Sequence, residues 1–379
     1  MGIEFVADEF DFEEALKKIE NEVVSPNILL CGATGVGKSS LVNDIFGEEV
    51  AQVGEGVPIT SGVNLYKCKT VNLYDSEGYE IGEEKQSYYQ DSILACIDKY
   101  KEEYPEDLNK HIHEVWYCIS AANKRITETD ISIINQIKNK KVPLAIVFTQ
   151  IDSVDEDELK ALINVCGQEC QGSDYFTYCV TDNAEMKVLL KNYIQKDALV
   201  KWAIDVLPGV LKEGLVIALA GCIKQKRELV KNKIIPKYIA LAATVALSPI
   251  PFSDAVLLTP IQLDMCVRIF HIYGLSKLKG GIATVLQSTI VSQIGKKLAT
   301  TLVGNLVKLL PAMGTAIGIG INTVVASSLT TILGTTISIM CYNYSKEVLK
   351  GHSVDVAEFF SSEIFNEIFN SVLKREQNK

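Results

Sequence analysis

The chain has 379 residues, too many for one ordinary core, and 47% of them are apolar, which excludes a disordered polymer and favours two domains. The net charge of −10 averages two unlike halves: residues 201–379 carry 19 Lys and Arg against 11 Asp and Glu, a balance of +8, so residues 1–200 carry the remaining 18 against 36, a balance of −18. An acidic half followed by a basic, apolar one suggests two jobs, and no nucleic-acid partner is expected.

The opening residues are acidic and lack a long apolar run, so no secretory signal is expected. The ten cysteines are scattered singly; the only close pair, Cys166 and Cys170, has no second pair or histidines at zinc spacing. They read as buried thiols of a cytoplasmic protein. The organisation expected is an acidic helical segment over residues 1–24, an α/β domain over 25–200, and an apolar, basic, all-α domain over 201–379.

In chain order, Asn27–Cys31 is a short apolar strand. Directly after it, Gly32-Ala33-Thr34-Gly35-Val36-Gly37-Lys38-Ser39 fits G-x-x-x-x-G-K-[ST], and an apolar helix begins near Leu41. Its glycines let the loop wrap so that backbone N–H groups face phosphate oxygens, while the helix N-terminus adds partial positive charge. Gly32, Gly35, Val36 and Gly37 belong to this cradle, and Ser40 continues it. Lys38 is expected to neutralise the β- and γ-phosphates and the Ser39 hydroxyl to ligate Mg²⁺. The motif alone does not choose between ATP and GTP.

Thr60 is the residue expected to close over Mg²⁺ when a γ-phosphate is present, although Ser61 offers the same hydroxyl. Val63–Lys69 and Val71–Tyr74 follow as a hairpin pair. Asp75-Ser76-Glu77-Gly78 then matches D-x-x-G at a strand end, where Asp75 can hold Mg²⁺ directly or through water and the Gly78 N–H can meet the γ-phosphate. Tyr89, Ile93, Cys96, Ile97, Tyr100 and Tyr104 repeat at helical spacing. After a strand at Glu114–Ile119, Thr127 and Asp130 form a capping box ahead of Ile133, Ile134 and Ile137.

The next strand, Leu144–Phe148, ends in Thr149-Gln150-Ile151-Asp152, where GTPases place [NT]-K-x-D. Guanine presents two donors, N1–H and the exocyclic amine, which one carboxylate accepts together. Adenine presents an acceptor at N1 and meets Asp152 with repulsion, so GTP and GDP are the expected nucleotides. Thr149 stands for Asn and Gln150 for Lys, so weaker base contacts are expected. Leu159, Leu162, Ile163 and Cys166 mark a further helix. Tyr175–Val180 is the last strand, with Thr181 after it as a candidate for the guanine edge. Strands separated by such helices predict a mostly parallel sheet covered on both faces.

On these motifs residues 27–195 resemble the translation-factor-related GTPases, on the side that includes the Era-like and the immunity-related, dynamin-like GTPases. The resemblance implies slow hydrolysis of GTP to GDP coupled to conformational change. Lys38, Thr60 and Gly78 would form its catalytic set, and Ser39, Thr60 and Asp75 its Mg²⁺ ligands. One departure bears on mechanism: Tyr79, not Gln, follows Gly78, so no side chain is named for positioning the attacking water.

From about Val206 the pattern changes to long helices with few charges. Lys224, Lys226, Arg227, Lys231, Lys233 and Lys237 form a basic run leading into the apolar stretch Tyr238–Ile250. Residues 205–275 resemble an uncharacterised helical domain found behind bacterial GTPase domains. Leu309–Ser345 contains no charge, long enough for one membrane span of about 20 residues or for a buried helical hairpin. A last helix is expected over about Val356–Leu373. Three readings stay open: a GTPase coupling nucleotide state to self-association or to an anionic membrane, a soluble regulatory GTPase acting on a protein partner, or a nucleotide-gated module with negligible turnover.

Overall fold

The computed structural model describes residues 10–47, 57–60, 62–78, 83–181, 183–245, 254–276 and 319–378. The chain divides into two compact units. One is Val23–Ala220, so it runs beyond residue 200; the other joins the chain from Gly221 onward to the segment ending at Glu22.

The first unit is built on one seven-stranded sheet: β1 (Asn27–Cys31), β2 (Val57–Thr60), β3 (Val63–Cys68), β4 (Val71–Ser76), β5 (Glu114–Ser120), β6 (Leu144–Thr149) and β7 (Asp174–Thr177), in spatial order β2-β3-β4-β1-β5-β6-β7. From β4 to β7 all neighbours are parallel, while β2 and β3 are added antiparallel at one edge. The predicted fold class is therefore present. β7 stops at Thr177 rather than reaching Val180, because Tyr178 leaves the ladder after its N–H has bonded the Phe148 carbonyl.

Every residue of β1, β5 and β6 is buried, as continuous apolar strands require when helices cover both faces. Alternation along the strands sorts the two layers. Leu29, Cys31, Tyr117, Ile119, Ile146 and Phe148 pack with Ile93, Ile97, Ile133, Ile137, Leu159 and Leu162 from three helices. On the other face Trp116 stacks on Phe46 at 5.9 Å between ring centroids, and Phe176 meets Trp202 at 6.0 Å. Register places Leu30 beside Asp75 and Cys31 beside Tyr117, so the loops after β1, β4, β5 and β6 all leave from the carboxyl ends of the strands, which line up along one edge of the sheet layer. That edge is where open α/β sheets bind ligands.

In the second unit the helix Ile223–Leu229 runs through one π-turn, Val230–Ile234, into Ile235–Val245. The long helix Ile319–Leu349 buries Ile332, Leu333, Ile337, Met340 and Cys341, and packs on Ile235–Val245, Asp254–Tyr273 and Ser362–Gln377. Arg268 is buried and its Nη1 donates to Glu22 Oε2 at 2.7 Å, tying the helix Phe12–Glu22 to this bundle. Residues 309–318 of the uncharged stretch lie outside the described residues; the rest falls in the long helix. Among the described residues no helix is long and apolar enough to cross a membrane.

In the basic run Lys226 is buried, whereas Lys224, Arg227, Lys231, Lys233 and Lys237 are exposed, the Arg227 guanidinium lying 4.9 Å above the Tyr342 ring. The last helix is two, Val356–Phe359 and Ser362–Gln377, parted where Phe360 turns inward against Phe270 and Tyr344. All ten cysteines are buried and none is in a disulfide.

Candidate functional site

The loop from Gly32 to Ser39 joins the buried end of β1 to the helix Lys38–Phe46. Gly32 has φ +131°, and a Cβ there would lie 2.2 Å from the Cys118 carbonyl oxygen, so this position requires glycine. The Gly32 N–H is taken by the Tyr89 hydroxyl at 2.8 Å, and the same oxygen is 2.9 Å from Ser76 Oγ. Tyr89 thus links the start of the loop to the end of β4. Helical periodicity marked Tyr89 only as part of an apolar face; its hydroxyl gave no further signal.

Lys38 is buried and folds back over the loop, its Nζ donating to the carbonyls of Gly32 at 2.9 Å and Ala33 at 3.2 Å. Ser39 and Ser40 are exposed at the start of the helix. Asp75 sits near the end of β4, beside β1. Burial pushes its carboxyl pKa up while the Lys38 charge pulls it down, and Oδ1 has no hydrogen-bond partner among the described residues. A divalent cation fits this environment, since it would supply positive charge and coordination to a desolvated carboxylate. Ser39 and Asp75 could both hold it.

Gly78, with φ +77°, packs directly on the loop: a Cβ there would meet the Thr34 nitrogen at 2.7 Å and its Oγ1 at 2.9 Å. Thr60 ends β2, opposite Val63, and β3 stands between it and the strand of Asp75. Ser61 and Tyr79 lie outside the described residues.

At the end of β6, Thr149 is buried and its hydroxyl donates to the carbonyls of Val36 and, at 3.2 Å, Ile119. Gln150 adopts the left-handed conformation (φ 53°), donates through Nε2 to the Gly35 carbonyl at 3.2 Å and accepts from Ser120 Oγ. Neither residue matches the usual Asn-Lys pair, yet both tie the phosphate loop to this strand end. Asp152 follows, exposed, in a tight turn over Ile151–Ser153. It neighbours Cys179, whose thiol is pushed up to about 11 by burial and further by the Asp152 charge. Thr181, its Oγ1 accepting from the Asn183 N–H at 3.3 Å, lines a cleft of about 520 Å³ with Ser40, Asp44, Cys179 and Lys187. The structure therefore gathers the phosphate loop, Asp75, Gly78, Thr149 and Gln150, and brings Thr181 to Ser40.

Residues 27–150 match the family described as 50S ribosome-binding GTPase, and residues 210–357 match a domain of unknown function, DUF697. The chain is similar to a probable GTP-binding protein EngB of Caldanaerobacter subterraneus, 29% identical over 147 residues, 37% of this chain and 71% of that protein. An EngB of Aquifex aeolicus is 27% identical over 138 residues, 35% of this chain and 70% of its own length. The GTPase Era of Ruminiclostridium cellulolyticum is 24% identical over 141 residues, 36% of this chain and 43% of its own. A crystal structure of a probable GTP-binding protein EngB aligns with 48% of this chain and 97% of its own, at 15% identity and a TM-score of 0.35. Residues 27–150 thus belong to a GTP-binding domain of the P-loop GTPase type, related to EngB and Era, and a domain of unknown function follows it.

Proposed function

We propose that the chain binds GTP and GDP together with Mg²⁺ and hydrolyses GTP. In this reading Lys38, Thr60 and Gly78 surround the phosphates, Ser39, Thr60 and Asp75 hold the cation, and Asp152 reads guanine, with Thr181 at the base edge. The observation that carries it is the tie between phosphate loop and base loop. Through Thr149 and Gln150 the turn presenting Asp152 is bonded to Val36 and Gly35, so phosphate cradle and base reader form one piece. Bound Mg²⁺ would neutralise charge between the β- and γ-phosphates.

Gln150 commits its amide to Gly35 and Ser120, which supports a base held less tightly than under a lysine stem. The wider action proposed is coupling of nucleotide state to self-association or to docking on an anionic membrane from the cytoplasm, in the manner of dynamin-like GTPases. The exposed Lys224, Lys231, Lys233 and Lys237 support the membrane arm.

Competition against a fluorescent GDP analogue tests the nucleotide assignment. GTP and GDP should displace it and ATP should not. Asp152→Asn should weaken GTP binding and admit xanthine nucleotides, because an amide offers one donor and one acceptor where the carboxylate offered two acceptors. ATP displacing the analogue as well as GTP does would overturn the base-site assignment.

A further inference from the structure

Beside the phosphate loop opens a cavity of about 600 Å³, whose lining includes Ala33 and Thr34 of that loop and Ser120, Asn123 and Arg125. Thr34 is also the residue on which Gly78 packs. This cavity therefore adjoins the part of the loop where the D-x-x-G glycine lies, whereas the cleft of Ser40 and Thr181 lies on the base side.

The backbone around Arg125 is fixed on both flanks. Before it, Lys124 makes a left-handed turn (φ 53°), its N–H donates to the Ala121 carbonyl at 2.8 Å, and its ammonium is paired with Glu158. After it, Thr127 caps the next helix, and Asp130 Oδ2 accepts from the Thr127 N–H at 3.0 Å. Asp130 also borders the cavity, but its other oxygen takes the Tyr117 hydroxyl at 2.9 Å. Arg125 itself is exposed and has no hydrogen bond or ion pair among the described residues. An arginine on a held backbone, lining the cavity beside an anion-binding loop and paired with no carboxylate among the described residues, is placed to meet a phosphoryl group.

We propose that Arg125 binds the γ-phosphate of GTP on its own chain and stabilises the charge that develops there during hydrolysis; this rests on the GTPase reading above. In the step, the oxygen of water bonds to the γ-phosphorus and the bond from that phosphorus to the β–γ bridging oxygen breaks. The electron pair leaves on GDP, and both water protons leave on the released dihydrogen phosphate. Arg125 exchanges no proton; its five donors meet the equatorial and bridging oxygens as negative charge shifts onto them. With Tyr79 in place of a water-positioning glutamine, electrostatic stabilisation carries more of the rate.

The test is steady-state hydrolysis with Mg²⁺ by full-length wild type, Arg125→Ala and Arg125→Lys, alongside fluorescent-GDP affinity and thermal melting. Expected is a fall in kcat on the order of 10²- to 10³-fold in Arg125→Ala, with KM and GDP affinity within about threefold and melting unchanged, since arginines in this role act on turnover. Arg125→Lys should recover less than about a tenth of the rate, because a point charge lacks the planar fork. GDP with aluminium fluoride should raise the melting temperature of wild type and not of Arg125→Ala. An active wild type with unchanged kcat in Arg125→Ala overturns the proposal and leaves the GTPase reading standing. Parallel losses of affinity, turnover and melting temperature in both variants also overturn it, as they mark a loop-holding role. Turnover restored on mixing Arg125→Ala with Lys38→Ala, which keeps Arg125 but loses its own phosphate contact, overturns the assignment to the same chain. A wild type that binds GTP without turnover removes the hydrolytic reading and the proposal together.

Discussion

Glu114 opens β5 in register with Ile28, its side chain fully buried. Burial pushes its pKa from 4.5 up to about 8, and only the Trp116 indole, two residues along on the same face, pulls the other way. The folded chain then holds this proton more tightly than the unfolded chain does. Its contribution to stability is complete below pH 4.5 and is lost as pH rises toward 8. Each pH unit in that window is worth about 1.4 kcal/mol, so the loss amounts to about 5 kcal/mol. Glu114→Gln keeps the shape and removes the titration. The variant and wild type should therefore match near pH 5 and diverge by about 3–5 kcal/mol at pH 9, the variant being the more stable. For a unit of this size that is a melting difference of roughly 6–20 °C. Differential scanning calorimetry and urea titration from pH 5 to 9 measure it. Parallel stability curves, or a less stable variant at pH 9, would refute the burial argument.

Thr149→Val removes one hydroxyl and leaves the Val36 and Ile119 carbonyls without it, so it should cost about 1–3 kcal/mol and speed release of fluorescent GDP by roughly 5- to 150-fold; an unchanged release rate would mean that Thr149 does not tie the two loops. Wild type should float with phosphatidylserine vesicles in one nucleotide state, and Gln at Lys224, Lys231, Lys233 and Lys237 should release it, since each lysine near such a surface is worth about 1 kcal/mol. Failure of wild type to float in any state would remove the membrane arm.

The parts of the site legible in the sequence are those whose chemistry is local. Gly32 to Ser39 carries its own turn, cradle and helix start within one motif. Thr127 and Asp130 form the full reciprocal capping box because their spacing alone brings the two groups together. The hairpin of β3 and β4 follows from two apolar runs separated by Lys69 and Thr70. What escaped depends on distant partners. Tyr89 is 57 residues from Gly32, and its hydroxyl reaches the loop only because a helix crosses the sheet there. Arg125 looks like any loop cation until the cavity beside Thr34 is seen. Thr149 and Gln150 read as departures from a motif, yet their hydrogen bonds to Val36 and Gly35 give both an identifiable task.

The pairing of Arg268 with Glu22 has a consequence for the order of events at the ribosome. The two residues are 246 apart, with the whole sheet unit between them. At about 5–20 residues per second, the helix Phe12–Glu22 emerges roughly 10–50 s before its partner exists. During that interval Ala15 and Ile19, buried in the finished molecule, remain uncovered. The acidic character of this helix would then keep a waiting apolar stripe soluble.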